Sequence, residues 1–175
     1  MKLAALWQQA LPDETVRELT HADDDLIYQF QVAHPDYFNH FQDHPVTRQE
    51  AIQDVTDLPF KALPEQKAYL GVFHQGHLVL IVDLIIDYPL PSLVWLGLWM
   101  ADKSLTHDDQ RTLYQSLKTV LQRVEAVQLQ LNVFMGDRDA TTFWQDCGLT
   151  PIRTTSIVRE ARTANVTIYQ DKFTD

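Results

Sequence analysis

Val94-Trp-Leu-Gly-Leu-Trp-Met-Ala101, followed after a polar loop by Leu113, Leu117, Val120, Leu121 and Val124, is the stretch that decides the fold. The first segment is an almost wholly apolar run, the mark of a strand buried on both faces inside a sheet. The second set falls at i, i+4, i+7, i+8 and i+11, which puts its apolar side chains on one side of a long helix. A buried strand feeding a long amphipathic helix predicts a layered α/β architecture.

The same pattern extends outward. Upstream, Ala68 to Phe73 and Leu78 to Ile86 flank His74-Gln-Gly-His77 and read as a hairpin with a glycine-containing turn. Downstream, Val127 to Val133 alternates strictly and reads as a strand with one apolar face. Ala140, Phe143, Trp144 and Cys147 mark a short helix closed by Gly148, and residues 151–159 and 165–173 read as a final hairpin. Near the N-terminus, residues 1–12 read as a short helix ended by Pro12, and Val16 to Leu19 as a first strand. Leu26, Ile27, Phe30 and Ala33 keep helical spacing behind Asp23 to Asp25, and Pro35 stops that helix. Thr47-x-x-Glu50 is a capping-box pattern that starts another helix, with Ala51, Ile52 and Val55 on one face. The order β-α-α-β-β-β-α-β-α-β-β predicts one α/β domain over residues 1–175, a mixed sheet flanked by helices.

Composition narrows the partners. Fourteen Lys and Arg stand against 24 Asp and Glu, a formal charge of −10, so nucleic acid and anionic membrane surfaces are repelled at long range. The lone Cys147 excludes an intrachain disulfide and fits a reducing compartment. Leu3 to Trp7 is too short for a signal segment, and no apolar run approaches the roughly 20 residues that span a bilayer. A cytoplasmic protein with neither nucleic-acid nor membrane partner is expected. His34, His40 and His44, with Asp36 and Asp43, form no complete ligand motif, so no metal is expected.

Five segments also carry a family likeness: His34-Pro-Asp-Tyr-Phe38, Leu63-Pro-Glu-Gln-Lys67, Asp83-Leu-Ile-Ile-Asp-Tyr-Pro89, Trp95-Leu-Gly-Leu-Trp-Met100 and Phe143-Trp-Gln-Asp-Cys-Gly148. In this order, over roughly residues 14–160, they resemble the GNAT superfamily of acyl-CoA-dependent N-acyltransferases. The resemblance implies a splayed sheet with acetyl-CoA wedged where the fourth and fifth strands part. It implies that the peptide groups of Leu98, Trp99 and Met100 hold the pantetheine arm, and that the following loop and helix N-terminus bind the pyrophosphate. In the family that loop reads Gln/Arg-x-x-Gly-x-Gly/Ala, whose glycines let backbone N–H groups crowd around phosphate. Here it reads Asp102-Lys-Ser-Leu-Thr-His-Asp-Asp-Gln-Arg-Thr112, without a glycine, and the two glycine positions fall on Asp108 and Gln110 within one residue. Thr106-x-x-Asp109 reads as an N-cap, with Asp108 and Asp109 capping the first amides; His107 and Arg111 partly offset their charge toward an anion. Asp137 stands where the family often has a cofactor-contacting Asn. Trp144 stands where many members have a Tyr general acid, and an indole N–H does not ionise at neutral pH.

The resemblance places Tyr37 and Phe38 in the segment that covers the acceptor site. Asp83 and Asp87, four apart on a strand, share a face, and Asp83 is the candidate general base near the amine. Cys147 reads as a buried thiol, and Arg48, Lys61 and Lys67 as surface charge. Two functions follow from the resemblance. One is acetyl transfer from acetyl-CoA to a small-molecule or peptide amine; the other is a non-catalytic binding or regulatory module with weakened CoA binding. A homodimer stays open.

Overall fold

A computed structural model describes residues 3–159 and 162–173. Its strands are β1 (Thr15–Glu18), β2 (Lys67–His74), β3 (His77–Ile85), β4 (Leu93–Ala101), β5 (Gln128–Phe134), β6 (Thr150–Arg159) and β7 (Arg162–Lys172). They form one sheet in the order β1-β2-β3-β4-β5-β7-β6. Neighbours are antiparallel except β4 and β5, which run parallel. Two parallel strands need a long crossover, and α5 (His107–Arg123) supplies it. The other helices are α1 (Leu3–Ala10), α2 (Asp24–Val32), α3 (Pro35–Phe38), α4 (Arg48–Gln53) and α6 (Arg138–Asp146). Among the described residues no helix is long and apolar enough to cross a membrane.

Two apolar clusters cover the two sheet faces. One joins Trp7 of α1, Leu117 and Leu121 of α5 and Trp144 of α6 to Leu129, Leu131 and Val133 of β5. The alternation of β5 points every second residue to that face. The other cluster joins Ile27, Phe30, Phe38 and Ala51 from the α2–α4 segment to Leu98 and Met100 of β4. Buried polar contacts fasten α5 to the sheet: Tyr114 Oη donates to Asp171 Oδ2 at 2.9 Å, and Lys118 Nζ sits 2.8 Å from the same oxygen.

The capping boxes at Thr47/Glu50 and Thr106/Asp109 both form. Gly148 takes a left-handed φ of 95°, and the Leu149 amide bonds back to the Trp144 carbonyl, closing α6 as the sequence predicts. Pro35 does more than stop α2. It opens the short α3, where its fixed φ and missing N–H suit a first helical position.

The fourth strand is not the uniform central strand that its apolar run predicts. Asp83 pairs with Leu98 and Leu84 with Leu96, so Gly97 is the extra residue of a bulge. The extra residue reverses the alternation. Val94 and Leu96 belong to the α5 face, whereas Leu98 and Met100 belong to the α2–α4 face. A Cβ at Gly97 would lie 3.3 Å from Asp83 Oδ2, tighter than ordinary packing. An isolated glycine inside an apolar strand is the sequence signal for this feature.

Candidate functional site

The β4–β5 ladder runs only from Leu93↔Gln128 to Leu96↔Leu131, although β4 stays paired with β3 to Ala101 and β5 with β7 to Phe134. The two strands therefore part beyond Leu96, as the family resemblance implies. The peptide groups of β4 on that side lose their strand partner and face a cleft of about 980 Å³. Its walls include Gly97, Leu98 and Trp99 of β4 and Asn132 of β5, with Tyr37 and His40 from the α3 segment. Asn132 Oδ1 is buried there with no hydrogen-bond partner among the described residues.

A second cavity of about 380 Å³ adjoins the first and shares Tyr37, Gly97 and Leu98 with it; its other walls include Asp54, Asp57 and Asp83. Asp83 Oδ2 accepts from Lys67 Nζ at 2.9 Å, and the Lys67 and Asp83 side chains are only 7% and 19% exposed. Lys67 Nζ also donates to the Asp57 carbonyl at 2.8 Å. Lys67 is thus a buried ion-pair member rather than surface charge, because the Asp57 end of the α4–β2 connection folds over it. Burial pushes the Asp83 carboxyl up to about 6, with Lys67 pulling the other way. Asp87 does not share its face. The strand ends at Ile85, Asp87 takes a left-handed φ of 54°, and its Oδ1 accepts from the Ser92 amide at 2.7 Å.

The loop after β4 satisfies much of its own backbone. Asp102 accepts from the Ser104 amide at 2.9 Å through its carboxylate and from the Leu105 amide at 3.0 Å through its carbonyl. Asp109 Oδ2 accepts from the Thr106 amide at 2.9 Å, and Thr106 Oγ1 accepts from the Asp109 amide at 3.1 Å. Asp108 corrects the expected cap: it bonds Arg111 at 2.8 Å on the surface, with 84% of its side chain exposed. Gln110 turns inward, its Oε1 accepting from Trp99 Nε1 at 3.3 Å. His107 meets the Phe143 ring edge-on at 5.5 Å.

The residues expected to hold the cofactor are therefore divided. Leu98, Trp99, Asp137 and Trp144 line the cleft, whereas His107, Asp108, Asp109, Gln110 and Arg111 do not. The reason is aromatic packing. Trp99 sits edge-to-face on Tyr114 at 6.2 Å and on Trp144 at 5.7 Å, filling the space toward the start of α5. The Met100 side chain is buried in the α2–α4 cluster, so only its backbone belongs to the free strand edge. Asp137 Oδ1 caps α6 by accepting from the Ala140 amide at 2.9 Å, and its Oδ2 lies 3.2 Å from His40 Nε2. Tyr37 lines both cavities; Phe38 is core, 6% exposed. Sequence reasoning misses Lys67, Asp54, Asp57 and the bulge at Gly97. Of these only Gly97 carries a local signal.

A splayed mixed sheet with a ligand-sized cleft at the parting of two parallel strands defines the class of fold. Solved structures with the same architecture include a probable acetyltransferase from Staphylococcus epidermidis ATCC 12228, at TM-score 0.70 and 12% identity, covering 92% of this chain and 99% of that one. An acetyltransferase from Thermus thermophilus matches at TM-score 0.67 and 18% identity, covering 91% and 96%. The PaiA N-acetyltransferase from Thermoplasma acidophilum, solved in complex with coenzyme A, matches at TM-score 0.63 and 13% identity, covering 91% and 99%. The fold of this chain is the GNAT fold. No protein-family model and no curated sequence matches it, so the likeness is one of three-dimensional shape.

Proposed function

We propose that the protein is an N-acyltransferase that moves an acetyl group from acetyl-CoA to a cationic amine. One observation carries this reading: a cleft with an unpaired strand edge and a carboxylate-walled cavity meet at Gly97 and Leu98. An unpaired β edge offers the peptide groups that an extended amide-bearing arm pairs with, and its N–H groups polarise a carbonyl oxygen. When bound, acetyl-CoA supplies an acyl thioester at this edge. Asp83 holds the acceptor ammonium beside Gly97; one proton leaves the ammonium to solvent to free the lone pair, and Asp83 takes a second from the nitrogen as the N–C bond forms and the C–S bond breaks. With its carboxyl near 6, Asp83 is ionised at neutral pH and remains a usable base. Trp144 cannot protonate the departing thiolate, so that proton comes from solvent.

The loop over residues 102–109 does not fit a glycine-type diphosphate cradle, since the Ser104, Leu105, Thr106 and Asp109 amides are already bonded within it. Affinity then rests on the pantetheine arm. Titration calorimetry tests this: acetyl-CoA and S-acetyl-pantetheine are expected to bind within about threefold of each other, less than about 1 kcal/mol apart. Tight acetyl-CoA binding that is lost without the nucleotide diphosphate would overturn it. Thiol release on adding a cationic amine tests the reaction itself, and its absence with every amine offered would favour the binding-module reading.

The loop supports a further expectation. Asp108→Asn removes an exposed helix-end charge, worth about 0.3–1 kcal/mol, and is expected to tighten acetyl-CoA binding about twofold to fivefold. Asp108→Gly with Gln110→Gly adds backbone freedom but strips the Trp99 indole of its acceptor. The double variant is therefore expected to melt lower while binding more tightly. Unchanged affinity in both variants would show that the loop does not meet the donor.

A further inference from the structure

Behind the acidic cavity lies a third, smaller one of about 150 Å³, and the two share Asp54 and Asp57 as walls. Gln31 and Glu50 also line the smaller cavity. Gln31 is wholly buried at 0% exposure, and its amide is oriented by its neighbours: Nε2 donates to Asp54 Oδ2 at 2.9 Å and lies 3.4 Å from Tyr69 Oη. Its carbonyl oxygen Oε1 consequently turns elsewhere and finds no donor among the described residues. On the other side, Asp83 Oδ1 is likewise buried without a donor. Both orphaned groups are acceptors, and a buried acceptor left unpaired is costly. Lys67 Nζ, the cation beside Asp83, already serves Asp83 Oδ2 and the Asp57 carbonyl. Among the described residues no cluster has the ligand set of a metal ion. The two orphaned acceptors, set among carboxylates, suit a ligand that brings N–H donors and positive charge at each end.

Resting on the acyl-transfer reading, we propose that the acceptor is a diamine: one nitrogen beside Asp83 at the Gly97 edge, the other ammonium in the small cavity against Gln31 Oε1 and the carboxylates of Asp54 and Asp57. An alkyl linker between the two nitrogens passes the Asp54 and Asp57 walls that both cavities share. A monoamine satisfies one end and leaves the other acceptor unpaired, which sets the discrimination.

Calorimetry of the full chain with 1,4-diaminobutane and 1,5-diaminopentane, against butylamine and pentylamine, tests the proposal. At least one diamine is expected to bind about tenfold or more tightly than its matched monoamine, the scale of one charge-assisted hydrogen bond. Asp57→Asn, a change at an exposed position, is expected to remove most of that advantage. Equal affinity for diamine and monoamine, or an advantage that survives both Asp57→Asn and Asp54→Asn, overturns the proposal. Thiol release with acetyl-CoA is read in parallel. Transfer to a monoamine with no diamine advantage sinks the diamine and keeps acyl transfer. Diamine binding that the Asp57→Asn change weakens, without transfer to any amine, sinks acyl transfer and keeps the site.

Discussion

Asp83→Asn is expected to lower the rate of acyl transfer by about 10²–10⁴-fold at about pH 7.5, the usual worth of a positioned general base. The carboxyl faces the cavity that meets the cleft at Gly97, and an amide there keeps the contact with Lys67 Nζ but accepts no proton. The pH profile separates loss of a base from loss of shape. The wild-type rate should rise with pH through about 6, as Asp83 ionises, and that limb should vanish in the variant. A rate within about threefold of wild type, with the limb intact, would remove Asp83 from the mechanism. A melting curve taken alongside shows whether the variant is folded when it is assayed.

Lys67→Met is the second large effect, and it falls on stability. The change leaves the Asp83 carboxylate buried without its cation, and breaking such a pair typically costs about 3–5 kcal/mol. The sign with pH is defined. Asp83 titrates higher in the folded protein than in the unfolded chain, so the folded state keeps a proton that the unfolded state has lost. Stability therefore falls as pH rises from the ordinary carboxylate range through about 6. Without Lys67 the folded value moves higher still, and the fall continues to higher pH. The variant should be close to wild type near about pH 4 and deeply destabilised at about pH 8, as read by urea unfolding at both. Adding Asp83→Leu should recover most of the loss, because an apolar pair has no charge to strand. A cost that does not depend on pH would show that packing of the lysine stem, not charge, is what matters.

The fold lies close to the surface of the sequence because its signals are local. The alternation over Val127–Val133, the helical spacing from Leu113 to Val124, and the Thr47/Glu50 box each report on neighbours a few positions away. Each fixes a segment whatever the rest of the chain does, and the resulting elements leave few ways to share one sheet. Even the parting of β4 from β5 follows from the order, through the family that this order resembles.

The site is different in kind. That Asp83 and Lys67 meet depends on β2 pairing with β3 so that the start of one strand lies beside the end of the other. That Asp54 and Asp57 wall the same cavity depends on where the α4–β2 connection crosses the sheet. Three separate segments of the chain supply these four residues, and each residue alone reads as one more charge on an acidic chain. The β4–α5 loop shows both sides. Its lack of glycine and its Thr106/Asp109 cap are plain in the sequence, because a cap spans only a few residues. Whether Asp108 joins that cap or turns to Arg111, and whether Gln110 faces solvent or Trp99, was decided only by tertiary packing. By itself the sequence determined most of the elements, their order and the layered sheet, though not α3 or the bulge at Gly97, since periodicity and capping act over a few residues. Only the tertiary structure decided which carboxylate is buried, which lysine answers it and where two cavities join, since burial and charge pairing are properties of segments brought together from far apart.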